Sequence, residues 1–443
     1  MLSVGIGASG LLTYLYFAIA SHSLNSDDYG GIVVLWSALF VTVVVLYRPV
    51  EQLLSRSLAE SDALGVSIRE PLRTGVAIQL VLAAAFVIAA VALRGPLEDD
   101  LLDGSETLYW VFLLAAPAYA ASFFARGFLG GRRRFGLYGA MLLLESASRL
   151  CFALVVAVGI AEGQSAIALG ILAAPLLSLM VVPLAVRAAR VSRSEDSEAN
   201  HEPAGPPPSR QLGLSGGWGF AAAVFVIMLA EQTLLNAGPL LVSGLADLAA
   251  AGFMFNILLV ARAPQVLFQA ATTTLLPTLT RSWTRRTAEG GEAFRLSVNA
   301  TVVAVAGFAA AVAVVVLLAG PELMQLAFGD SYIYDRAGLL IVTAAMGFHL
   351  VSLTLNQAAL AQGQARRAAI RWGICAVGFI GWCFVPVFEV VRRVEIGFAG
   401  AAVLLCGLLY LLYVAPRSWP GDRVVPDPTQ PGATRLRPED AVR

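Results

Sequence analysis

The feature that most constrains this chain is a series of mostly apolar segments, each roughly 18 residues or longer, that recurs along its whole length. Such a segment is long enough to cross the hydrocarbon core of a bilayer as a helix. Charged residues make up only 14% of the chain, against about 25% in soluble proteins. Lipid offers the backbone no hydrogen-bond partner, so spanning segments of this kind must be helical. The sequence therefore predicts an all-α polytopic membrane protein.

The apolar segments accommodate twelve membrane-spanning helices. Their approximate bounds are 3–23, 30–47, 74–93, 108–129, 137–160, 166–186, 216–237, 249–270, 297–319, 337–357, 371–390 and 396–415. The break between the seventh and eighth spans is the least distinct, because only the segment GPLLVSGLADLA separates them.

Two polar, proline-rich segments divide the chain. The segment RVSRSEDSEANHEPAGPPPSRQ at 190–211 contains too few apolar residues to bury a core, and the same is true from Pro416 onward. We therefore predict four parts. They are an N-terminal six-helix lobe at 1–186, a flexible cytoplasmic linker at 187–215, a C-terminal six-helix lobe at 216–415 and a disordered cytoplasmic tail at 416–443.

The two halves of the chain repeat the same local features in the same order. The matching pairs are Gly30 with Gly252, Leu53-Leu54 with Leu275-Leu276, Gly95-Pro96 with Gly320-Pro321, and GGRRRF after span 4 with GQARRA after span 10. Both halves begin on the same side of the membrane, which predicts two parallel-repeat six-helix bundles. Transporters built from such repeats bind their cargo between the halves, near the middle of the membrane.

The basic residues indicate the orientation of the chain. All 30 are arginine, and they are concentrated in one set of loops, as at 132–134 and 366–367, whereas the opposite loops are acidic, as in EDDLLDGSE at 98–106. The arginine-rich side is therefore expected to be cytoplasmic, with both termini on that side. The complete lack of lysine excludes a P-loop or a Schiff-base lysine within this chain. It also suggests a GC-rich bacterial genome, and hence a bacterial plasma membrane.

The cysteines do not indicate a metal site. Cys151, Cys375, Cys383 and Cys406 all fall inside predicted spans, and no pair has metal-ligand spacing, so we interpret them as apolar packing residues. The sequence also contains no recognisable set of nucleophile, base and metal ligand. We therefore expect no metal, no cofactor, no enzymatic activity and no nucleic-acid partner.

Charged residues inside the spans are few, and each is costly in lipid unless it is paired or faces water. Glu145 and Arg149 are four residues apart in span 5, so they share a helix face and can pair. They form either a neutral structural pair or a functional pair, in which Arg149 contacts an anionic cargo and Glu145 takes part in ion coupling. Glu231 in span 7 is a second candidate for ion coupling.

Arg262 in span 8 differs from these residues because its own helix offers it no acidic partner. With Gln265, Gln269 and Thr273 it falls on one helix face, within an arc of roughly 80°. Arg262 could instead pair with Glu231 of another helix or extend its side chain to the membrane surface. We predict that Arg262, Gln265 and Gln269 line a cavity and bind the cargo.

A second polar stripe on span 10 contains His349, Ser352 and Asn356. Asn356 is a further candidate for cargo binding. His349 is either a hydrogen-bonded packing residue or a proton carrier that couples transport to an ion gradient.

Three segments carry a family resemblance. They are LNSDDYGGIVVLWSALF at 24–40, FARGFLGGRRRF at 124–135 and AAGFMFNILLVARAPQVLFQAATTTLLPTLTR at 250–281. They resemble the multidrug/oligosaccharidyl-lipid/polysaccharide exporter superfamily, and within it the Wzx-type polysaccharide flippases. The resemblance implies two six-helix lobes arranged as a V that rocks between inward-facing and outward-facing states. It also implies a lipid-diphosphate-linked sugar as the cargo.

The residues and the resemblance together predict a flippase for a lipid-linked oligosaccharide, a precursor of a polysaccharide. Arginine binds phosphate oxygens in a bidentate manner, so Arg262 would contact the diphosphate. Membrane lipid, and glycosyltransferases or a polysaccharide polymerase, are the expected partners. One alternative is a drug/cation antiporter of the same superfamily, which would use Glu145 or Glu231. The other is a transport-inactive membrane scaffold in polysaccharide assembly, with a dry, apolar cavity.

Overall fold

The structure, a computed structural model, describes residues 2–183, 214–262, 265 and 288–415. Within these residues it consists of helices joined by turns and contains no strand. The helices of the N-terminal half are α1 (Leu2–Ser23), α2 (Ser26–Ala63), α3 (Arg69–Ala92), α4 (Glu106–Gly131), α5 (Phe135–Ala157) and α6 (Gly163–Ser178). Those of the C-terminal half are α7 (Leu214–Leu245), α8 (Leu248–Arg262), α9 (Ala288–Phe328), α10 (Arg336–Ala361), α11 (Ala365–Cys383) and α12 (Val390–Val414).

Each of these helices corresponds to one predicted span, and the predicted all-α fold class is confirmed. Among the described residues, nine helices are long and apolar enough to cross a membrane. The other three are α1, α11 and the described part of α8. Arg366, Arg367 and Arg371 lie in the first two turns of α11 and make that helix less apolar.

The end of the molecule that carries the acidic loop 98–106 is called the acidic end below. Short polar side chains fix where helices begin at this end. The first amide groups of a helix have no partner within the helix, and a side-chain oxygen just before it can accept from them. Asn25 accepts from the amide of Asp28 at 2.8 Å to start α2, and Asp247 accepts from the amide of Ala250 at 2.7 Å to start α8. Asn25 and Asp247 each precede by five residues one of the repeated glycines, Gly30 and Gly252.

The turns that follow α4 and α10 also have the same geometry. The amide of Arg134 donates to the carbonyl of Leu129, and the amide of Gln364 donates to the carbonyl of Ala359, both at 2.9 Å. In each turn the preceding residue, Arg133 or Gly363, has a positive φ of 55° or 73°. A left-handed residue in this position ends a helix and turns the chain back.

The helices pack in the same pairs in both halves. α1 packs on α5, α3 on α4, and α4 and α5 on α6. Correspondingly, α7 packs on α11, α9 on α10, and α10 and α11 on α12. This correspondence supports the parallel repeat, whereas the exact lobe boundaries stay a prediction. Of the expected linker at 187–215, residues 187–213 lie outside the described residues, as does the tail at 416–443, whereas Leu214 and Ser215 already belong to α7.

Several helices extend beyond the predicted spans or are displaced from them. α2 continues to Ala63, although the predicted span ends at 47, and α9 extends on both sides of 297–319. A charged residue ends an apolar run without ending a helix, so the apolar pattern underestimates helices that continue past the membrane surface. α11 ends at Cys383, so Pro386, which the prediction placed inside span 11, lies beyond the helix.

Candidate functional site

The two halves meet along α1, α2, α7 and α8. Tyr29 of α2 donates a 2.5 Å hydrogen bond to Oδ1 of Asn256 in α8, and neither side chain is accessible to solvent. One turn further along α8, the Tyr14 hydroxyl of α1 donates to the carbonyl of Leu259. Buried polar groups satisfied across an interface fix its register.

Glycine allows the backbones of the two halves to approach closely. A Cβ at Gly30 would overlap the carbonyl of Leu248, and a Cβ at Gly252 would lie 3.0 Å from the Tyr29 ring. Gly30 and Gly252, which the sequence repeat matches with each other, therefore lie side by side at the start of α2 and α8. No other residue would fit at Gly30 without separating the helices.

Aromatic side chains fill the rest of this interface. Phe17 packs on Phe255 with ring centroids 4.6 Å apart, and Tyr29 packs on Tyr332 at 5.5 Å. Burial raises the pKa of the Tyr332 hydroxyl, which keeps this group uncharged. We call the contacts made by Tyr14, Phe17, Tyr29 and Gly30 with the C-terminal half the interlobe seal. It extends from the acidic end of the molecule toward the middle of the helices.

Arg262 lies on α8 one turn past Leu259, immediately beyond the interlobe seal. Its Nη1 donates to Oδ1 of Asn236 in α7 at 3.1 Å, and Asn236 in turn donates to Gln232 at 2.9 Å. The Nε and Nη2 groups of Arg262 are buried and have no hydrogen-bond partner in the described part of the chain. The described residues therefore leave most of the hydrogen-bonding capacity of this guanidinium unused.

The groups around Arg262 come from both halves of the molecule. Tyr14 of α1 and His349 of α10 are both near enough to Arg262 to be within the range of its charge. Within the described ranges, no carboxylate lies within ion-pair distance of Arg262, and Glu231 is not its partner. Gln265, one turn along the same face, is buried. Gln269 and Thr273, also predicted on this face, lie outside the described residues.

The second group of charges is buried in the N-terminal half. Glu145 forms an ion pair with Arg126 of α4 and a longer contact of 3.5 Å with Arg149 on its own helix. Ser122 donates to the same carboxylate at 3.4 Å. The predicted pair of Glu145 and Arg149 is therefore part of a triad with two arginines, and its closer partner is Arg126.

This triad fits a structural role better than a cation site. All three of its side chains are at most 9% exposed, and the Arg149 guanidinium lies 4.5 Å from the centre of the Trp36 ring. The Glu145 carboxylate already has two arginine partners, so its charge is compensated within the protein without a bound cation. Among the described contacts, none joins Arg149 to Arg262.

His349 and Asn356 are both buried in the C-terminal half and both contact Trp372 of α11. The indole nitrogen of Trp372 donates to Oδ1 of Asn356 at 3.1 Å, and its ring packs edge-on against His349 at 5.7 Å. Neither imidazole nitrogen of His349 has a hydrogen-bond partner in the part of the chain that the structure describes. Both of these residues of the predicted stripe therefore pack on Trp372: Asn356 accepts a hydrogen bond from it, whereas His349 makes a ring contact.

Glu231, the other candidate for ion coupling, lies on α7. Arg48 of α2, across the boundary between the halves, is near enough for its charge to reach Glu231. No ion pair within 4.0 Å is formed between the two side chains, although both are described. Glu231 thus lies within a membrane helix and has no close arginine among the described residues, in contrast to Glu145.

Two residues that position these charges were not predicted from the sequence. Asn236 holds Arg262, and Trp36 lies under Arg149. The signal for Asn236 was present, since Gln232 and Asn236 are four residues apart and form a polar stripe on α7. Trp36 gave no such signal, because an aromatic residue in a membrane helix is ordinary.

No family model matches the sequence, and no curated protein matches it. Several solved structures have the same fold. An inward-facing multidrug resistance MATE family transporter of the MOP superfamily has a TM-score of 0.65 and 13% identity, covering 91% of this chain and 93% of that one. A Vibrio cholerae MATE transporter variant gives 0.63 and 16% identity, with coverages of 93% and 94%.

A eukaryotic MATE transporter has a TM-score of 0.61 at 15% identity, covering 95% of both chains. An outward-facing structure of a multidrug resistance MATE family transporter also scores 0.61. At these identities the likeness shows the fold alone: this chain has the fold of MATE transporters over nearly its whole length.

Proposed function

We propose that the protein moves a lipid-diphosphate-linked oligosaccharide across the membrane by alternating access. The two halves would rock about the interface that contains the interlobe seal. The state described here is closed at the acidic end. In the opposite state the seal would separate and Arg262 would become accessible from that end.

The observation that carries this proposal is the guanidinium of Arg262 between the halves, which the described residues leave largely unsatisfied. A charge in a membrane helix is costly, and it is retained only where it is paired or used. Asn236 accepts one of its hydrogen bonds, which leaves Nε and Nη2 to bind a ligand. Two such donors on a planar guanidinium match two oxygens of a phosphate group. A diphosphate headgroup supplies these oxygens.

A drug/cation antiporter is the second candidate, and one observation favours it. Glu231 is not held in an ion pair, so its carboxylate could bind a proton or a cationic drug. The solved structures that share this fold include multidrug resistance transporters. Against this candidate, Glu145 is already neutralised by Arg126 and Arg149, and the unsatisfied charge between the halves is positive.

Proteoliposomes that contain the purified protein would distinguish the two candidates. A lipid-linked oligosaccharide is placed in one leaflet, and the appearance of its sugar in the other leaflet is followed with a membrane-impermeant glycan-modifying enzyme. Uptake of a cationic dye is measured in the same vesicles. The proposal predicts transfer of the sugar and no dye uptake. Dye uptake without transfer of the sugar would identify an antiporter instead.

A further inference from the structure

A groove of about 910 Å³ lies on the outside of the C-terminal half, between α7 and α11. Arg366 is at one end of this groove and is the charged residue among those that line it. The remaining lining residues are small or aliphatic, and they include Gly219 and Val226 of α7 and Gly373 and Gly378 of α11. The groove is therefore apolar along its length, with a cation at one end.

The dimensions of the groove match one leaflet of a bilayer. Arg366 and Gly378 are twelve residues apart on α11, which is about 18 Å at a rise of about 1.5 Å per residue. One leaflet contributes about 15 Å to the hydrocarbon core. Arg366 lies in the first turn of α11, at the arginine-rich end of the molecule. The Arg366 charge is thus at headgroup depth, and the apolar part of the groove runs from it to the middle of the membrane.

The groove opens away from the protein. Val377 is 71% exposed and Ile370 is 53% exposed, and both belong to the lining. In a membrane-spanning helix such residues face lipid. A partner transmembrane helix would need a contact surface about 30 Å long, across the whole core, whereas this groove covers about half of that depth.

We propose that the groove binds one anionic phospholipid from the leaflet at the arginine-rich end. The phosphate lies on Arg366, whose guanidinium can donate two hydrogen bonds to it. An acyl chain lies along the groove past Gly373 and Gly378. This site does not include Arg262, so the lipid site and the proposed transport function can be tested separately.

The glycines of the groove provide a direct test, because two of them can be enlarged without disturbing the fold. A Cβ at Gly378 would meet nothing within 4 Å, and a Cβ at Gly373 would lie 3.9 Å from Val226 across the groove. A large side chain at Gly378 would therefore fill the groove and leave the packing of α7 on α11 intact.

The headgroup contact is tested by native mass spectrometry of the full-length protein with phosphatidylglycerol and phosphatidylcholine. We expect the wild type to retain phosphatidylglycerol preferentially, and Arg366→Gln to weaken that binding about fivefold, as expected for one arginine near an anionic lipid. The neighbouring Arg367 does not line the groove, so Arg367→Gln is the matched control and should bind as the wild type does. Equal effects of the two substitutions, or none, would overturn the assignment of Arg366.

The position of the acyl chain in the groove is tested with Gly378→Phe, which should weaken binding of both phospholipids. Gly407→Phe is the control, because Gly407 is an exposed glycine of α12 with open space around it and no part in the groove. Retained lipid binding in the Gly378 variant would overturn the proposed path of the acyl chain. Retained binding together with a changed oligomeric state would show that the groove is a helix-docking surface.

Discussion

Gly252 of α8 lies directly against Gly30 of α2, such that a Cβ on Gly252 would be 3.4 Å from the Cα of Gly30. These are the two glycines that the sequence repeat pairs with each other. The halves therefore meet through equivalent points, near the axis that relates them. Closure at the acidic end depends on this contact, because the Leu248 carbonyl occupies the space that a Cβ on Gly30 would need.

Gly30→Ala should therefore prevent the interlobe seal from closing. We expect a longer distance between spin labels at Asp100 and Ser331, two exposed positions at the acidic end, in a background without the native cysteines. Double electron–electron resonance measures that distance. Gly7→Ala in α1 is the control, since a Cβ there meets nothing within 4 Å, and its distance distribution should equal that of the parent. An unchanged distribution for the Gly30 variant would mean that the glycine contact does not control closure.

Glu145→Gln should destabilise the protein severely. The substitution leaves Arg126 and Arg149 buried without a counter-charge, which costs on the order of 3–5 kcal/mol. Thermal unfolding in detergent and the yield of folded protein measure the effect. Glu60→Gln breaks an ion pair of 2.7 Å whose side chains are about 60% exposed, so it should change stability by less than about 1 kcal/mol. Equal melting temperatures of the two variants would contradict the structural role of the triad.

Glu231→Gln should abolish any dependence of transport on pH or sodium, because Glu231 is a membrane carboxylate without a close arginine. Transport is measured in proteoliposomes with imposed proton or sodium gradients. Glu395→Gln is the comparison, since the Glu395 carboxylate is buried but bonded to Arg392 at 3.0 Å. That variant should keep the ion dependence of the parent. Ion dependence that survives in the Glu231 variant would remove this residue from the coupling mechanism.

The orientation in the membrane can be tested with single cysteines at exposed loop positions. Ser331→Cys at the acidic end should react with a membrane-impermeant maleimide in intact cells. Ser67→Cys, in the turn between α2 and α3 at the arginine-rich end, should react only after permeabilisation. The prediction rests on the arginine bias of the short loops. Labelling of the Ser67 variant in intact cells would reverse the orientation.

The helical fold could be predicted from sequence because the membrane imposes it. An apolar segment of about 20 residues satisfies its backbone in lipid by forming a helix, and the apolar segments therefore locate all twelve described helices. Helix ends were predicted less well. The side-chain caps Asn25 and Asp247 set two of them, whereas α2 continues past the charged residue Arg48 as far as Ala63. A count of apolar residues contains neither kind of information.

The charged groups were found from sequence, but their partners were not. Pairing of Glu145 with Arg149 follows from their spacing along one helix. The closer partner, Arg126, is on another helix, and nothing local in the sequence links the two. The same limit applies to Arg262, whose isolation on its own helix was evident, whereas its hydrogen bond to Asn236 depends on how α7 packs against α8.

Arg262 is the residue on which the proposed function depends. Its side chain is expected to bind the cargo phosphate, not to hold the fold. Arg371 provides a matched control, because its guanidinium donates to the carbonyls of Leu408 and Arg367 and so has a structural role in the packing of α11 on α12. Arg371→Ala should lower the yield of folded protein and leave transport per folded molecule close to that of the wild type.

The most direct measurement is the rate at which Arg262→Ala moves a lipid-linked oligosaccharide in proteoliposomes, normalised to folded protein. We predict a decrease of at least about tenfold, because a charge-assisted hydrogen bond to the phosphate is lost, with folded yield close to that of the wild type. Arg262→Lys should retain part of the rate, since a point charge replaces a bidentate donor. A wild-type rate in the alanine variant would contradict the account, as would a loss of rate that is explained entirely by a loss of folded protein.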